Sequence, residues 1–401
     1  MLKGKVVVLG VTGSIAAYKI ASLASMLVKQ HCEVHVIMTQ NATNFINPIA
    51  FETLTNQKCL VDTFDRNFQF HVAHVSLAQK ADVMMIAPAS ADVIGKVAGG
   101  IADDMLTTTI MACSSRVIFA PAMNVHMYEN PILQDNLKRL KHYGYEVIEP
   151  ATGYLACGDT GAGKMPEPET LMDYILREIA CEKDLAGKKV MVTAGPTQEA
   201  IDPVRYITNH STGKMGYAIA RRAMLRGADV TLISGQTSLK EVPFVKKIDI
   251  ISAQDMFEAV RDHLQDQDYL IKSAAVADYT PAETSDEKVK KKDGDMSIAL
   301  KRTQDILGYV AEHRRPDQMI CGFSMETQNM LENSRKKLSK KKLDMIVANN
   351  LKVQGAGFGT DTNVVTMITA DEEITLDIMS KEQVADAILD QLLLMAERQK
   401  G

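Results

Sequence analysis

Short apolar runs alternate with amphipathic stretches along the whole chain. This alternation predicts an α/β protein, in which the strands form largely parallel sheets and the helices cover both faces. In the first half the apolar runs predict strands at 5–10, 33–38, 82–87, 116–120 and 145–149. The amphipathic stretches between them predict helices that begin near Ser14, Ala91 and Asn130.

The same alternation starts again in the second half. Strands are predicted near 188–194, 229–234, 268–273, 318–323, 344–348 and 364–369. Helices are predicted at about 215–227, 253–265, 326–341 and 380–397. The segment 177–189 is polar and leads into a new apolar strand, so we predict two domains, 1–184 and 185–401.

One segment fits neither pattern. Residues 279–297 are dense in charge, contain Pro and Gly, and show almost no apolar periodicity. This composition predicts a mobile surface loop, with a solvated linker as the alternative interpretation.

Composition narrows the class of protein. A chain of 401 residues has the length of two or three domains, and its net charge of -5 argues against a nucleic-acid-binding protein. No apolar stretch approaches about 20 residues and the N-terminus enters a strand directly, so we expect a cytoplasmic protein without a membrane span. The six cysteines form no C-x-x-C pair and, Cys157 excepted, are expected to be small buried residues or idle thiols.

A glycine turn follows the first predicted strand. Residues 10–15 read "GVTGSI", which lacks the second glycine of a dinucleotide-binding G-x-G-x-x-G, and no Lys-Ser/Thr follows to make a P-loop. Free N–H groups at the start of the next helix still suit an anion. The turn therefore predicts a phosphate site but neither an ordinary NAD site nor an ATP site.

Three strand ends of the first half carry polar groups that could serve one ligand. The segments "GVTGS", "APASAD" and "APAMNVHMY" supply the hydroxyl groups of Ser14 and Ser90 and the amide of Asn124. Ligands of open α/β sheets bind beyond such carboxyl ends. No acidic residue is placed to hold a ribose as in NAD-binding folds, so a mononucleotide phosphate fits this set better than a pyrophosphate.

The second half contains a different set of anion donors. The loop 194–216 ends in "TGKMG", which is not a P-loop. It carries donor side chains at Arg205, Asn209, His210, Ser211 and Thr212. Further along the chain, Asp278 could hold a divalent cation, and basic side chains that could clamp a triphosphate follow at Lys288, Lys290, Lys291, Lys337 and Lys341. A solvated helix face is the alternative interpretation for the last two lysines.

Longer motifs reveal a family resemblance. "GVTGSIAAYK", "HVSLAQKAD", "APASADVIGKVAGGIADD", "PAMNVHMY" and "ACGDTGAGKM" resemble, in order and spacing, the flavin-dependent cysteine decarboxylases. "ITNH", "AAVADY", "KVKKK" and "GF" in the second half resemble the phosphopantothenate–cysteine ligases. Together the halves resemble the bacterial bifunctional enzymes of coenzyme A synthesis. The resemblance implies two Rossmann-like modules: a flavodoxin-like decarboxylase fold, then a ligase fold with a mainly parallel sheet.

For the first half, the resemblance implies a bound FMN. Its phosphate would lie at Gly13 and Ser14, with Ser90 near the cofactor. His74 matches the family's active-site histidine, Asn124 the asparagine that holds the substrate carboxylate, and Cys157 the cysteine that acts as proton donor. An ordinary half-buried imidazole is the alternative for His74. Tyr128 stands where the family often has Trp, which concerns only the fine shape of the pocket.

For the second half, the resemblance implies a site for CTP and Mg²⁺. Asn209 and Arg205 would handle the acyl intermediate and the incoming cysteine, and Lys288 would belong to a flap that closes on the nucleotide. Asp278 would hold the Mg²⁺. The nucleotide site would be lined by Ala274, Asp278, Phe323, Lys337, Lys341 and the segment Thr303, Gln304, Asp305 and Ile306, which reads "TQDI" where the family has "NPDI".

The implied reactions form a sequence. The carboxylate of 4′-phosphopantothenate attacks CTP to give an acyl-cytidylate and pyrophosphate, and the amine of L-cysteine then displaces CMP. The product is decarboxylated by the flavin-dependent half to 4′-phosphopantetheine. The resemblance also implies a homo-oligomer with a trimeric flavin half and a dimeric ligase half, which together make a dodecamer.

The residues disfavour two other interpretations of the chain. A non-catalytic flavoprotein that binds a protein partner would be expected to have a long acidic tail, which this chain lacks, and could lack a catalytic residue, whereas both His74 and Cys157 are present. An NAD(P)-dependent reductase is disfavoured by the missing glycine motif.

Overall fold

The computed structural model describes residues 2–64, 73–154, 158, 160–290, 296–325, 329–349, 357 and 359–399. The chain divides into two compact units, Met1–Cys181 and Glu182–Gly401. Each unit has its own sheet and its own buried apolar core. No helix among these residues combines the length and the apolar character needed to cross a membrane.

A parallel sheet forms the centre of the first unit. Its strands are β1 (Val6–Val11), β2 (Glu33–Met38), β3 (Val83–Ala89), β4 (Arg116–Pro121) and β5 (Glu146–Val147). They lie in the order β2-β1-β3-β4-β5, and every pair is parallel. This is the flavodoxin-like strand order, so the predicted fold of the first half is confirmed.

The helices of the first unit cover the sheet. They are α1 (Tyr18–Lys29), α2 (Pro48–Thr55), α3 (Ala73–Lys80), α4 (Ala91–Gly99), α5 (Met105–Ala112), α6 (Val125–Glu129), α7 (Pro131–His142) and α8 (Pro168–Ile179). Short 3₁₀ helices span Ile15–Ala17 and Gln40–Asn44, and an antiparallel hairpin is formed by β6 (Ala151–Tyr154) and β7 (Thr160–Lys164). The helix starts predicted near Ser14, Ala91 and Asn130 are confirmed, since Ser14, Ser90 and Asn130 are N-cap residues.

The described part of the second unit contains a larger sheet and three short two-stranded ribbons. Its strands are β8 (Lys189–Ala194), β9 (Gln198–Ala200), β10 (Tyr206–Thr208), β11 (Asp229–Ser234), β12 (Lys246–Asp249), β13 (Tyr269–Lys272), β14 (Tyr279–Pro281), β15 (Leu300–Arg302), β16 (Met319–Met325), β17 (Met345–Asn349), β18 (Thr362–Asn363), β19 (Val365–Ile368), β20 (Glu373–Thr375) and β21 (Met379–Ser380). The main sheet has the order β12-β11-β8-β13-β16-β17-β19-β20. It is parallel from β12 to β17, while β19 and β20 are antiparallel, which confirms a mainly parallel sheet.

The helices of the second unit are α9 (Lys214–Leu225), α10 (Ala253–His263), α11 (Ile306–His313), α12 (Met330–Lys340) and α13 (Lys381–Arg398), with a 3₁₀ turn at Leu264–Asp266. The sequence did not predict α11, which is a short helix capped by Asp305. The loop predicted over 279–297 is wrong at its start, because β14 pairs there with β15. Residues 282–290 have no helix or strand, and 291–295 lie outside the described residues.

Candidate active sites

Thr12 joins the turns that follow β1 and β3. Its buried hydroxyl donates to the Pro88 carbonyl oxygen at 2.6 Å and accepts from the Ser90 N–H at 2.9 Å. Strand order reverses between β1 and β3, and in flavodoxin-like sheets a ligand binds beyond this point. The hydrogen bonds therefore fix the two turns that border the expected ligand site.

The glycine turn itself is compact. A Cβ atom on Gly13 would lie 2.8 Å from the Cβ of Asn41, so the close approach favours glycine. Ser14 then caps the 3₁₀ turn, because its Oγ accepts a hydrogen bond from the Ala16 N–H at 3.4 Å. The turn leads into α1 and presents the positive end of a helix, which suits a phosphate.

A cavity of about 730 Å³ opens beside this turn. Ser14 and Asn124 both line it, together with the large apolar side chains of Ile15, Tyr18 and Tyr154. These three are 58%, 59% and 74% exposed, respectively. The flat ring system of FMN could cover these apolar surfaces while the FMN phosphate lies near the turn. The polar donors and the cavity therefore fit FMN.

The loop that carries Asn124 is held by the β6–β7 hairpin. The Met123 N–H donates to the Gly163 carbonyl oxygen at 3.0 Å. Gly163 has a φ of 137°, and a Cβ there would lie 2.4 Å from the Met123 oxygen, so only glycine fits. The Asn124 Oδ1 accepts from the His126 N–H at 2.8 Å, which orients the amide at the cavity wall.

The other predicted residues of the first unit do not meet at this cavity. Ser90 caps α4, with its Oγ 3.4 Å from the Val93 N–H, and it is not among the lining residues. Half-buried His74 lies on α3, and it does not line the cavity of its own chain. Cys157 lies outside the described residues.

A second cleft, of about 820 Å³, lies in the second unit beyond the carboxyl ends of β13 and β16. Every nucleotide-site residue predicted from the sequence lines it, except Lys288. They are Ala274, Asp278, Thr303, Gln304, Asp305, Ile306, Phe323, Lys337 and Lys341, and the loop residue Asn209 joins them. Residues that are far apart in the sequence thus line a single cleft.

Hydrogen bonds hold the segment 274–278 in place within this cleft. The Thr303 hydroxyl donates to the Ala277 carbonyl oxygen at 2.7 Å, and the Asn209 amide donates to the Ala275 carbonyl oxygen at 3.0 Å. The buried Thr197 hydroxyl accepts from the Ala277 N–H at 3.0 Å. The motif segments of the ligase half are therefore positioned by one another.

Charged groups in the cleft are partly paired. Lys341 forms an ion pair with Asp305, and the Lys337 ammonium donates to the Phe323 carbonyl oxygen at 3.0 Å. Burial opposes the ionisation of Asp305, but hydrogen bonds from Lys341 and the Gly308 N–H outweigh it and lower the pKa of this carboxyl group. Asp305 is thereby kept as an anion that fixes Lys341.

Arg205 lies outside the cleft lining and is held by an acidic residue that the sequence analysis did not single out. Its guanidinium pairs with the buried carboxylate of Asp202 and donates to the Val289 carbonyl oxygen at 3.0 Å. Asp202 also accepts from the Val289 N–H at 3.1 Å. Hydrogen bonds from Arg205, then from backbone N–H groups, hold the pKa of Asp202 well below its usual range.

Comparisons with known proteins identify the family. A family model described as flavoprotein matches residues 1–180, and one described as DNA/pantothenate metabolism flavoprotein C-terminal domain matches residues 185–395. The coenzyme A biosynthesis bifunctional protein CoaBC of Bacillus subtilis (strain 168) is 47% identical over 402 residues, which cover 99% of each chain. This chain belongs to the CoaBC family.

Another relative, CoaBC of Escherichia coli (strain K12), is 39% identical over 98% of this chain and 97% of its own. A crystal structure of a CoaBC C-terminal domain, 44% identical, covers 53% of this chain and 98% of that one with a TM-score of 0.46. As a CoaBC-family member, the protein is a bifunctional enzyme of coenzyme A biosynthesis that combines cysteine ligation with flavin-dependent decarboxylation.

The structure adds basic residues that the motif comparison with the CoaBC family did not single out. Lys214, Lys272, Arg302 and Lys381 line the second cleft. Lys272 is the last residue of the apolar strand β13, directly before the motif segment 274–278. The sequence did contain a signal for Lys272: it is a lysine at the end of a buried strand, just before a family motif.

The side chains around Asp278 show how well this residue could hold the predicted metal ion. Among the described residues no group of three or more His, Cys, Asp or Glu side chains is arranged to hold a metal ion. Asp278 is an exposed carboxylate in the second cleft. Mg²⁺ is usually held by one or two carboxylates together with substrate phosphates, so Asp278 suits an ion that arrives with a nucleotide but not a stable ion of the free protein.

Proposed function

We propose that the first unit is the decarboxylase and holds FMN in the cavity beside Ser14. The flavodoxin-like strand order, the glycine turn and the exposed apolar side chains around the cavity support this assignment. The phosphate would lie at Gly13 and Ser14, and Ser90 would support the turn through its hydrogen bond to Thr12. When bound, FMN supplies the oxidation that makes loss of CO₂ possible.

The chain's own residues would then bind the substrate and move its protons. Asn124 is neutral, so it can hold the substrate carboxylate without stabilising it against decarboxylation. Cys157 would donate the proton that completes the product, because a thiol is a far stronger acid than an alcohol. His74 would act as a base or orient the substrate near neutral pH.

The second unit would be the ligase, with CTP and Mg²⁺ in the cleft of about 820 Å³. The observation that carries this proposal is the convergence of Asn209, Lys337 and Lys341 with the segments 274–278 and 303–306 on that cleft. Lysine ammonium groups would stabilise the charge of the triphosphate, and Asp278 would hold the Mg²⁺ that accompanies it.

Ligation would run in two steps. The carboxylate of 4′-phosphopantothenate attacks the α-phosphate of CTP, and pyrophosphate leaves as the acyl-cytidylate forms. The amine of L-cysteine then attacks the acyl carbon and displaces CMP. Asn209 would hold the acyl intermediate, Lys288 would contact the nucleotide from the segment beside Val289, and Arg205 would position that segment.

Assembly into a homo-oligomer would bring His74 to the flavin cavity of a neighbouring subunit. Since His74 does not line the cavity of its own chain, a neighbouring subunit could use it. A trimeric flavin half and a dimeric ligase half would combine into a dodecamer, and light scattering on the purified protein would measure its mass.

The experiment that tests the proposed chemistry supplies 4′-phosphopantothenate, L-cysteine, Mg²⁺ and one nucleotide at a time, with mass analysis of the products. CTP should give CMP, pyrophosphate and 4′-phosphopantetheine. Equal turnover with ATP would contradict the assignment of CTP, and turnover without divalent cation would contradict that of Mg²⁺.

A further inference from the structure

Lys272 lines the second cleft from the end of a strand inside the main sheet. It ends β13, where its register partners are Thr193 on β8 and Gly322 on β16. Its side chain is half-buried and lines the cleft. The lysine therefore ends a strand that is hydrogen-bonded on both sides, and it borders the ligand space.

Most neighbouring lysine side chains of the cleft already have acceptors within the protein. Lys337 donates to the Phe323 oxygen, Lys341 pairs with Asp305, and Lys214 pairs with Asp361 at 2.7 Å. In the described part of the chain, the Lys272 ammonium makes neither a hydrogen bond nor an ion pair. A partly desolvated ammonium without an acceptor costs free energy, and a bound anion would offset that cost.

The local charge also favours an anion. Lys337 on α12 and Lys341, the C-cap residue of this helix, repel the Lys272 ammonium, whereas Asp278 and Asp305 attract it. Burial is the largest effect and, with Lys337, lowers the pKa of Lys272 to about 8. Since Asp305 is already paired with Lys341, the excess charge of this group is positive.

We infer that Lys272 binds a phosphate group of the ligase substrates. This inference rests on the proposed function of the second cleft and adds to it a residue outside the family motifs. Lysine acts on phosphate as a compact point charge with rotatable donors, which suits the end of a strand. The phosphate could belong to the triphosphate of CTP or to 4′-phosphopantothenate.

The test compares the full-length flavin-loaded protein with Lys272→Met, Lys272→Arg and the control Lys340→Met. Lys340 is exposed on α12 and does not line the cleft. Calorimetric titrations use CTP with Mg²⁺, 4′-phosphopantothenate and inorganic pyrophosphate, each alone at pH 7. Loss of a charge-assisted hydrogen bond should weaken binding of at least one phosphate ligand about tenfold or more in Lys272→Met. Binding to Lys272→Arg should be weakened less than binding to Lys272→Met because the charge is kept.

The pattern across ligands identifies the phosphate that Lys272 contacts. Weaker binding of CTP and pyrophosphate assigns it to the triphosphate, and weaker binding of 4′-phosphopantothenate alone assigns it to that phosphate. The KM for the corresponding substrate should rise while the KM for cysteine stays unchanged. Unfolding of unliganded Lys272→Met should occur at the same or a higher temperature, because a desolvated charge has been removed.

Several results would overturn the inference. Wild-type affinity of Lys272→Met for all three ligands would do so, and so would an equal loss in the Lys340→Met control. A lower unfolding temperature with unchanged KM values would assign Lys272 a structural role. If the wild type neither binds CTP nor makes product with it, the assignment of CTP fails, and the pyrophosphate and 4′-phosphopantothenate titrations still decide the role of Lys272.

Discussion

Asp202 and Arg205 form an ion pair that reaches across to the chain beside Lys288. Asp202 has no exposed side-chain surface, and both residues hydrogen-bond to the backbone of Val289. The family resemblance implies that Arg205, with Asn209, handles the acyl intermediate and the incoming cysteine; in the structure its half-exposed guanidinium is paired with Asp202. The pair therefore positions the segment that carries Lys288.

Replacement of Asp202 should impair only the ligase activity. Asp202→Asn keeps the size of the side chain but removes the charge that holds Arg205, so the hydrogen bonds that hold the Val289 backbone, next to Lys288, are weakened. We expect the ligase kcat/KM to fall at least about tenfold, while decarboxylation of supplied 4′-phosphopantothenoylcysteine stays at the wild-type rate.

The control for this variant is Asp262→Asn, which breaks the exposed ion pair with Arg261 on α10. It should leave both activities unchanged, because exposed pairs contribute little. Full ligase activity in Asp202→Asn would show that the pair does not position the segment.

A charge introduced at Asn209 should also separate the two activities. Asn209→Asp loses the donor to the Ala275 oxygen and places a carboxylate where phosphates are expected. Ligation should therefore fall more than in Asn209→Ala, which loses the same donor without adding charge. Coupled product assays on both substrates measure this, and an equal loss of decarboxylation in a folded variant would argue against independent sites.

The pKa of Lys272 predicts how CTP binding depends on pH. The ammonium is charged below about pH 8 and loses its proton above it, so the affinity for CTP with Mg²⁺ should decrease as the pH rises from 7 to 9. Lys272→Arg stays protonated over this range and should show a flatter profile. Titration calorimetry at a series of pH values measures both profiles, and parallel profiles for the two proteins would contradict a role of Lys272 in this dependence.

The sequence predicted the buried strands and the convergence of motifs well. β1 and β3 are continuous apolar runs, β8 and β13 are mostly apolar, and the carboxyl ends of parallel strands meet at one edge of a sheet. The segment 274–278 closely follows the end of β13, so its place in the cleft could be anticipated from the strand pattern, whereas the places of Asn209 and the segment 303–306 were implied by the family resemblance.

Elements whose stability comes from tertiary contacts were missed. β12 reads "KKID" and is an edge strand with charged side chains, so it shows no apolar run. α11 has only eight residues and depends on the Asp305 cap, which leaves too little periodicity to detect. The environment of Lys272 arises from three neighbouring strands and α12, so no local pattern could reveal its burial or its lack of an acceptor.

The central claim is that each unit carries one of the two activities, and fragments test it most directly. Lys183 donates to the Leu225 oxygen at 2.6 Å and Asp184 pairs with Arg226, so both belong with the second unit and the cut should precede Glu182. Flavin absorbance and product mass are measured on fragments 1–181 and 182–401. The account predicts that 1–181 is yellow and decarboxylates supplied 4′-phosphopantothenoylcysteine, while 182–401 is colourless and makes that compound from 4′-phosphopantothenate, cysteine and CTP. Flavin bound to 182–401, or ligation by 1–181, would contradict it.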